Sequence, residues 1–127
     1  MARLAWIALG GAAGTLCRYW LAGWMVARLG PAFPYGTLAV NLLGSLLLGV
    51  LAGVGATSDR IGPTLMLALS TGFMGGFTTF STFSLDALKL LQAGQPGLAA
   101  AYIGGTLAGG LFGVWVGYAI GSAGARA

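Results

Sequence analysis

The sequence predicts an all-α integral membrane protein with four transmembrane helices, the third of them broken near its middle. The chain has 127 residues, of which 57% are hydrophobic and 6% charged, and its mean hydropathy is +0.89. A soluble domain has about 25% charged residues, so this chain has too few to cover a surface that faces water. One span needs roughly 20 apolar residues, which leaves room for four spans and no domain outside the membrane.

Polar and proline-containing connectors divide the apolar sequence into four segments. The first segment ends with Trp24 and Arg28, a pair typical of the membrane interface. Its apolar sequence resumes after Arg18, which favours an uncleaved span over a signal peptide. Pro31 and Pro34 cannot continue a helix and mark the connector that follows. The predicted spans, which form a single membrane domain, are residues 4–26, 35–55, 63–93 and 96–121.

The titratable residues exclude several classes of protein. The chain has no histidine, and Cys17 is its one cysteine, so it cannot form an intrachain disulfide or assemble a zinc or iron–sulfur site alone. A serine or cysteine nucleophile would lack a histidine base, and we therefore expect no enzyme activity. The formal net charge is +4, but the basic residues lie singly at segment ends. That pattern suits lipid head groups and gives no nucleic-acid patch.

Glycines recur at a spacing of four residues in three of the spans. Residues four apart lie on one face of a helix, and a row of small residues lets two helix backbones approach closely in lipid. The sequence therefore predicts a compact bundle with glycine-lined contacts. The repeating positions are Gly10 and Gly14, Gly49 and Gly53, and Gly105, Gly109, Gly113, Gly117 and Gly121.

The stretch GGFTTFSTFS interrupts the third span with residues that weaken a helix. Residues 63–93 would extend roughly 46 Å as one helix, well beyond the roughly 30 Å hydrocarbon core. Gly75 and Gly76, followed by Thr78 and Thr79, are the best place for a break. Freed backbone groups at membrane depth must be buried in protein, bind an ion or line a wet cavity. The alternative is a simple kink at the glycines, with the threonine and serine hydroxyls bonding back to the helix backbone.

The same stretch closely resembles the signature of the Fluc (CrcB-type) fluoride channels. GTLCRYW in the first span and GTLAVNLLGS in the second resemble that family too, and the resemblance covers essentially the whole chain. It implies a passive fluoride-selective channel that exports fluoride from the cytoplasm across the cell (inner) membrane and lowers fluoride toxicity. It also implies an antiparallel, dual-topology homodimer with two pores at the subunit interface and a central structural sodium ion.

The resemblance implies a pore lined by Phe80 and Phe83, which Asn41 faces. Residues three apart share a helix face, and the edge of an aromatic ring is electropositive, so two rings can line an anion path without a fixed charge. Asn41 adds two N–H donors. On the residues alone, such a pair of phenylalanines is far more often core packing, and Asn41 could equally form an interhelical hydrogen bond.

Further positions match the family's polar groups. Ser81, Thr82 and Ser84 could donate hydroxyls beside the rings, although helical serine and threonine more often bond their own backbone. The resemblance places the remaining polar residues as follows: Tyr102 and Thr106 on a polar track in the last span, Arg18 near a vestibule, and the carbonyls of Gly75 and Thr78 on the sodium ion. Carbonyl oxygens are suitable ligands for a hard cation. The next turn of the track departs from the family's pattern, because Gly110 stands where a hydroxyl is expected.

Two other functions remain open from the sequence. A proton-coupled exporter of cationic compounds is also built from small four-span subunits, but it needs a membrane-embedded glutamate in an early span, and the first two spans contain no acid. A structural assembly subunit would explain the glycine rows but neither Asn41 nor the phenylalanine pair. Asp86 is the one acid within a span, and its spacing from Lys89 predicts an ion pair at a helix end.

The basic residues are nearly balanced between the two sides of the membrane. Four spans place Arg3, Arg60 and Arg126 on one side and Arg28 with Lys89 on the other, while Arg18 lies within a span nearer the second side. Orientation follows the excess of lysine and arginine on the cytoplasmic side. A balanced chain therefore predicts insertion in both orientations, as an antiparallel homodimer requires.

Overall fold

A computed structural model of the chain describes residues 1–126, without the Arg126 side chain; Ala127 lies outside the described residues. All regular secondary structure in residues 1–126 is helical, which confirms the predicted all-α class. Four helical stretches follow one another, and the third is divided by a break. The elements are α1 (Ala2–Leu29), α2 (Tyr35–Thr57), α3 (Pro63–Leu67), a π-helical segment (Ala68–Met74), α4 (Gly75–Phe77), α5 (Phe80–Gln92) and α6 (Pro96–Arg126).

Two of these helices are long and apolar enough to cross a membrane by length and composition. They are α2, over Tyr35–Thr57, and α6, over Pro96–Ala125. Crossing by α1 and by the broken third stretch stays a prediction. Large apolar side chains on α6 are exposed, with Leu111 75% and Trp115 68% accessible in the single chain. Apolar surface on this scale needs lipid or a partner to cover it.

The glycine rows on α2 and α6 bring these two helices into backbone contact. A Cβ on Gly49 or Gly53 would overlap carbonyl oxygens of α6, and a Cβ on Gly117 or Gly121 would overlap carbonyl oxygens of α2. Close packing at these four positions was predicted from their spacing. A Cβ on Gly105, the first member of the α6 row, would meet no atom of α2 within 4 Å, so the row extends beyond the contact with α2.

A second close contact joins α1 to the third helical stretch. Cβ atoms on Gly10 and Gly14 would overlap the backbone of the π-helical segment, at Ala68 and Phe73. From the opposite side, a Cβ on Gly76 would overlap the carbonyl of Gly11 in α1. The molecule therefore consists of two glycine-packed helix pairs, with α5 lying against α6.

The break lies at the threonines and not at the glycines. Gly75 and Gly76 keep helical geometry within α4. Thr78 (φ −89°, ψ 160°) and Thr79 (φ −153°, ψ 116°) are extended, and α5 begins at Phe80. The predicted break in the third span is therefore present, but Gly76 serves the close approach to α1. The π-helical segment before the break, a wider turn common near functional sites, was not predicted.

A small core joins α5, α6 and the connector between α1 and α2. Tyr102 is fully buried, and it packs with Phe83 of α5 and Phe33 of the connector. The Tyr102 and Phe33 rings meet edge to face, with centroids 5.6 Å apart. This cluster fixes one side of α5 immediately after the break.

Candidate functional site

Asn41 pairs with the extended backbone of the break. Its Nδ2 donates to the Thr79 carbonyl at 3.0 Å, and its Oδ1 accepts from the Thr79 amide at 2.8 Å. The side-chain amide thus replaces the two hydrogen bonds that a neighbouring strand would make with this residue. Asn41 forms the interhelical bond that was one of its two predicted roles, and this leaves its second N–H free of that pair.

Thr79 also begins the helix after the break. Its hydroxyl accepts from the amide of Thr82 at 3.2 Å, which makes Thr79 the N-cap of α5. The same hydroxyl donates to the Thr82 hydroxyl at 3.1 Å and lies 3.3 Å from that of Ser81. The Ser81 and Thr82 hydroxyls therefore gather at the helix start, whereas Ser84 bonds back to the Phe80 carbonyl at 2.9 Å.

The Asn41–Thr79 pair and the Thr79 N-cap each engage a backbone amide that would bond to a carbonyl in a continuous helix. The Thr79 amide, which would bond to the Gly75 carbonyl, donates to Asn41 instead. The Thr82 amide, which would bond to the Thr78 carbonyl, donates to the Thr79 hydroxyl. The break thus releases the carbonyls of Gly75 and Thr78, the two assigned to sodium by resemblance. Gly75 is exposed, and a Cβ there would have no neighbour within 4 Å beyond the adjacent backbone of its own helix.

A pocket of about 220 Å³ lies between the break, α2 and α6. Of the residues predicted for the site, it contains Asn41, Thr78, Phe80, Phe83 and Thr106. Its remaining lining residues are Gly44, Ser45, Leu48, Thr79 and Leu107. The structure therefore brings together the amide, both phenylalanine rings and one hydroxyl of the predicted polar track.

The two phenylalanines share this pocket but differ in burial. Their ring centroids are 5.6 Å apart with planes at 46°. Phe83 is 7% exposed and contacts Tyr102, at a centroid distance of 5.2 Å, so it belongs to the core as well as to the pocket. Phe80 is 76% exposed, so most of its surface has no contact from this chain.

The predicted polar track on α6 is only partly in the pocket. Thr106 lines it, but its hydroxyl donates to the Tyr102 carbonyl at 2.7 Å. Tyr102 itself lies behind Phe83 and does not line the pocket. Its hydroxyl is buried, with no hydrogen bond of good geometry to any described residue, although Thr37 and Asp86 are its polar neighbours.

Ser45 is a pocket residue that the sequence reasoning missed. It lies four residues after Asn41 on α2, and its Oγ is 3.4 Å from where a Cβ on Gly110 would be. Gly110 was noted as the position lacking an expected hydroxyl, and a hydroxyl from α2 occupies the facing space. The one available signal was the spacing from Asn41, which places both residues on the same helix face.

Arg18 lies in a separate cavity of about 520 Å³ on the other side of the break. Thr82 and Thr79 line this cavity as well, together with Thr37. Because Thr79 also lines the smaller pocket, the extended backbone forms part of the walls of both. Arg18 is half-buried, and a cation in such a position raises the local concentration of anions.

Asp86 does not form the predicted ion pair with Lys89. Its Oδ2 accepts a hydrogen bond from the Thr37 hydroxyl at 2.7 Å instead. Both charged residues line a third cavity, of about 500 Å³, at the end of α5. The prediction was wrong because it considered spacing along α5 alone, whereas Thr37 reaches the half-buried carboxylate from the start of α2.

The model of one family, described as CrcB-like protein, Camphor Resistance (CrcB), matches residues 5–118. The chain belongs to the CrcB-like family. The match covers most of each of the four helical stretches and every residue of the pocket. Membership agrees with the resemblance carried by the third-span motif and its two companion motifs.

Several curated proteins are similar over most of this chain. A protein of Stutzerimonas stutzeri is 49% identical over 121 residues, covering 94% of this chain and 98% of its own. One from Acidobacterium capsulatum is 45% identical over 117 residues (92% and 94%), and one from Sorangium cellulosum is 55% identical over 92 residues (72% of each chain). Each is named fluoride-specific ion channel FluC. These channels confirm the prediction that the chain is not an enzyme, and with the apolar helices they indicate a membrane protein.

Proposed function

We propose that the protein is a passive, fluoride-selective ion channel. The observation that carries this proposal is the pocket beside the helix break, where an amide and two aromatic rings converge. Relatives named as fluoride channels cover more than nine tenths of the chain at 45% and 49% identity. The amide and the two rings in one pocket give fluoride conduction a physical basis in this sequence.

Fluoride would be held in the pocket by weak donors and not by a fixed charge. The electropositive edges of Phe80 and Phe83 can face an anion, and the second N–H of Asn41 can donate to it. Conduction requires binding strong enough to draw the ion in and weak enough to release it. Arg18, in the cavity across the break, would attract the anion toward the pocket without binding it there.

The channel would be an antiparallel homodimer with two pores at the subunit interface. Phe80 lines the pocket and is 76% exposed in the single chain. A wall from a second copy would complete the path and cover the ring. The near balance of basic residues across the membrane allows one sequence to supply both orientations.

A sodium ion would lie between the two subunits, held by the carbonyls of Gly75 and Thr78. These carbonyls suit the ion because their helical donors are engaged elsewhere and because Gly75 faces outward. Two carbonyls from each of two subunits make a set of hard oxygen ligands. The ion would be structural, since it would satisfy backbone groups freed by the break and join the subunits.

The protein would cross the plasma membrane several times and let fluoride leave the cytoplasm down its electrochemical gradient. This mechanism needs neither a nucleotide nor a proton gradient. The test is fluoride efflux from proteoliposomes at equal internal and external pH, with valinomycin as a potassium shunt and protein-free vesicles as control. We expect rapid efflux that a proton uncoupler leaves unchanged. Efflux that requires a pH gradient would favour a coupled transporter.

A further inference from the structure

Four hydroxyl groups line the pocket that contains Asn41, and three of them are engaged. Thr78 donates to the Met74 carbonyl at 2.9 Å, and Thr79 donates to the Thr82 hydroxyl at 3.1 Å. Thr106 donates to the Tyr102 carbonyl at 2.7 Å. The fourth hydroxyl belongs to Ser45, and it forms no hydrogen bond with any residue in the described part of the chain.

The free hydroxyl of Ser45 is unusual for a serine within a helix. Helical serines commonly donate to the carbonyl four residues earlier, as Ser70 does to Met66 at 2.7 Å and Ser84 to Phe80 at 2.9 Å. Ser45 does not bond to the Asn41 carbonyl in this way. A half-buried hydroxyl without a protein partner has a proton available for a ligand in the pocket.

Gly110 leaves the space into which this hydroxyl projects. A Cβ at position 110 would lie 3.4 Å from the Ser45 Oγ, at the near limit of ordinary van der Waals contact. A side chain at this position of α6 would occupy the space beside the hydroxyl that an ion would otherwise take. Ser45 of α2 thus supplies a hydroxyl, and Gly110 of α6 supplies the space beside it.

Ser45 lies one helical turn from Asn41 on the same face of α2. Four residues of helix correspond to about 6 Å along the axis, a short step for a small anion between two donors. Thr106 and Leu48 line the same pocket, so both donors face a single continuous space.

We propose that the Ser45 hydroxyl is a fluoride-binding donor that follows Asn41 along the pore, in space that Gly110 leaves open. This inference rests on the proposed fluoride conduction and adds a specific residue to it. Fluoride is a strong hydrogen-bond acceptor, and a hydroxyl binds it without a permanent charge. The ion would pass from the Asn41 amide to the Ser45 hydroxyl and then toward the end of the pocket at Leu48.

The test is fluoride efflux from proteoliposomes containing Ser45→Ala. Removing a hydrogen bond to an ion is expected to lower efflux by about tenfold. Ser70→Ala is the matched control, because it removes a serine hydroxyl that bonds to its own helix and lines none of the described cavities; we expect unchanged efflux. Gly110→Ala, which fills the space while keeping Ser45, is expected to lower efflux as well. Thermal unfolding and gel filtration would report whether each dimer is intact.

Moving the hydroxyl from α2 to α6 by a double substitution distinguishes a role in ion binding from a role in packing. Ser45→Ala combined with Gly110→Ser places the donor on α6 and should recover much of the lost efflux. Two results would overturn the role of Ser45 while leaving the proposed function standing. One is wild-type efflux from Ser45→Ala, and the other is a folded double variant whose efflux stays as low as that of Ser45→Ala. Absence of fluoride efflux from the wild-type protein would instead overturn the proposed function, and this inference with it.

Discussion

Asn41 and Thr79 exchange two hydrogen bonds across 38 positions of sequence, at 3.0 and 2.8 Å. This pair joins α2 to the break in the third helical stretch and keeps an extended residue satisfied within the molecule. It also orients the Asn41 amide, because Oδ1 accepts from the Thr79 amide and Nδ2 donates to its carbonyl. One N–H then remains for the pocket, so Asn41 would serve both the fold and the ion path under the proposed function.

Replacing Asn41 with leucine should therefore impair both stability and conduction. Both backbone groups of Thr79 would lose their partner, and the free energy of unfolding should fall by about 2 kcal/mol. Fluoride efflux should fall by at least about tenfold, because the donor facing the ion is lost. Thermal unfolding in detergent and liposome efflux measure the two effects.

Thr57→Val is a control for the Asn41 variant, because it removes a polar group of α2 that bonds only to the Gly53 carbonyl of its own helix. It should leave efflux unchanged. Normal efflux and normal stability in Asn41→Leu would show that the bonds to Thr79 are dispensable and that the amide has no role in conduction.

The two pocket phenylalanines should respond differently to substitution by isoleucine. Both variants should lower fluoride efflux strongly, since an aliphatic side chain lacks the electropositive edge. Phe83→Ile should also lower the free energy of unfolding, by about 1 kcal/mol, because Phe83 is buried against Tyr102. Phe80→Ile should leave the stability of the single subunit nearly unchanged, because Phe80 is 76% exposed.

Phe112→Ile is the matched aromatic control for this pair. Phe112 is 62% exposed on α6 and lines none of the described cavities, so its replacement should conduct normally. If Phe80→Ile and Phe83→Ile also conducted like the wild-type protein, the rings would serve packing alone.

The sequence predicted the elements of this site better than their contacts. A helix break in the third span followed from local composition, because glycine and threonine are poor helix formers. Its position at Thr78 and Thr79 depends on Asn41, a partner 38 residues away that spacing cannot reveal. Asp86 was misassigned for the same reason, since Thr37 comes from another helix. Ser45 was missed because its place in the pocket depends on Gly110, which faces it from another helix.

Sodium should stabilise the dimer through the carbonyls freed by the break. A sodium concentration of 100 times Kd would raise the free energy of unfolding by about 2.7 kcal/mol, measured as a higher thermal midpoint than in N-methylglucamine buffer at equal ionic strength. Diffraction density on the two-fold axis should show oxygen ligands at about 2.4 Å. Gly75 and Thr78 carbonyls bonded to amides of their own chain would contradict this proposal.

Subunits should insert into the membrane in both orientations. The Arg60 guanidinium donates to the Gly124 carbonyl at 3.2 Å, so the connector after α2 and the end of α6 lie at the same end of the molecule. Basic residues at this end are offset by Arg28 and Lys89 at the other. A cysteine added after position 127, with Cys17→Ser, should therefore be labelled from both faces of intact cells.

Several lysines added at one terminus should force a single orientation and abolish efflux, whereas the same number of glutamines should change neither. Labelling from one face only, with efflux intact, would contradict the antiparallel dimer.

Comparing fluoride with chloride in the same proteoliposomes tests the central claim most directly. Vesicles loaded with both anions as potassium salts would be diluted into an impermeant anion, given valinomycin, and followed with two ion-selective electrodes. A path lined by ring edges, one amide and hydroxyls is expected to release fluoride rapidly while chloride stays inside. Equal release of the two anions, or retention of fluoride after valinomycin, would contradict the account.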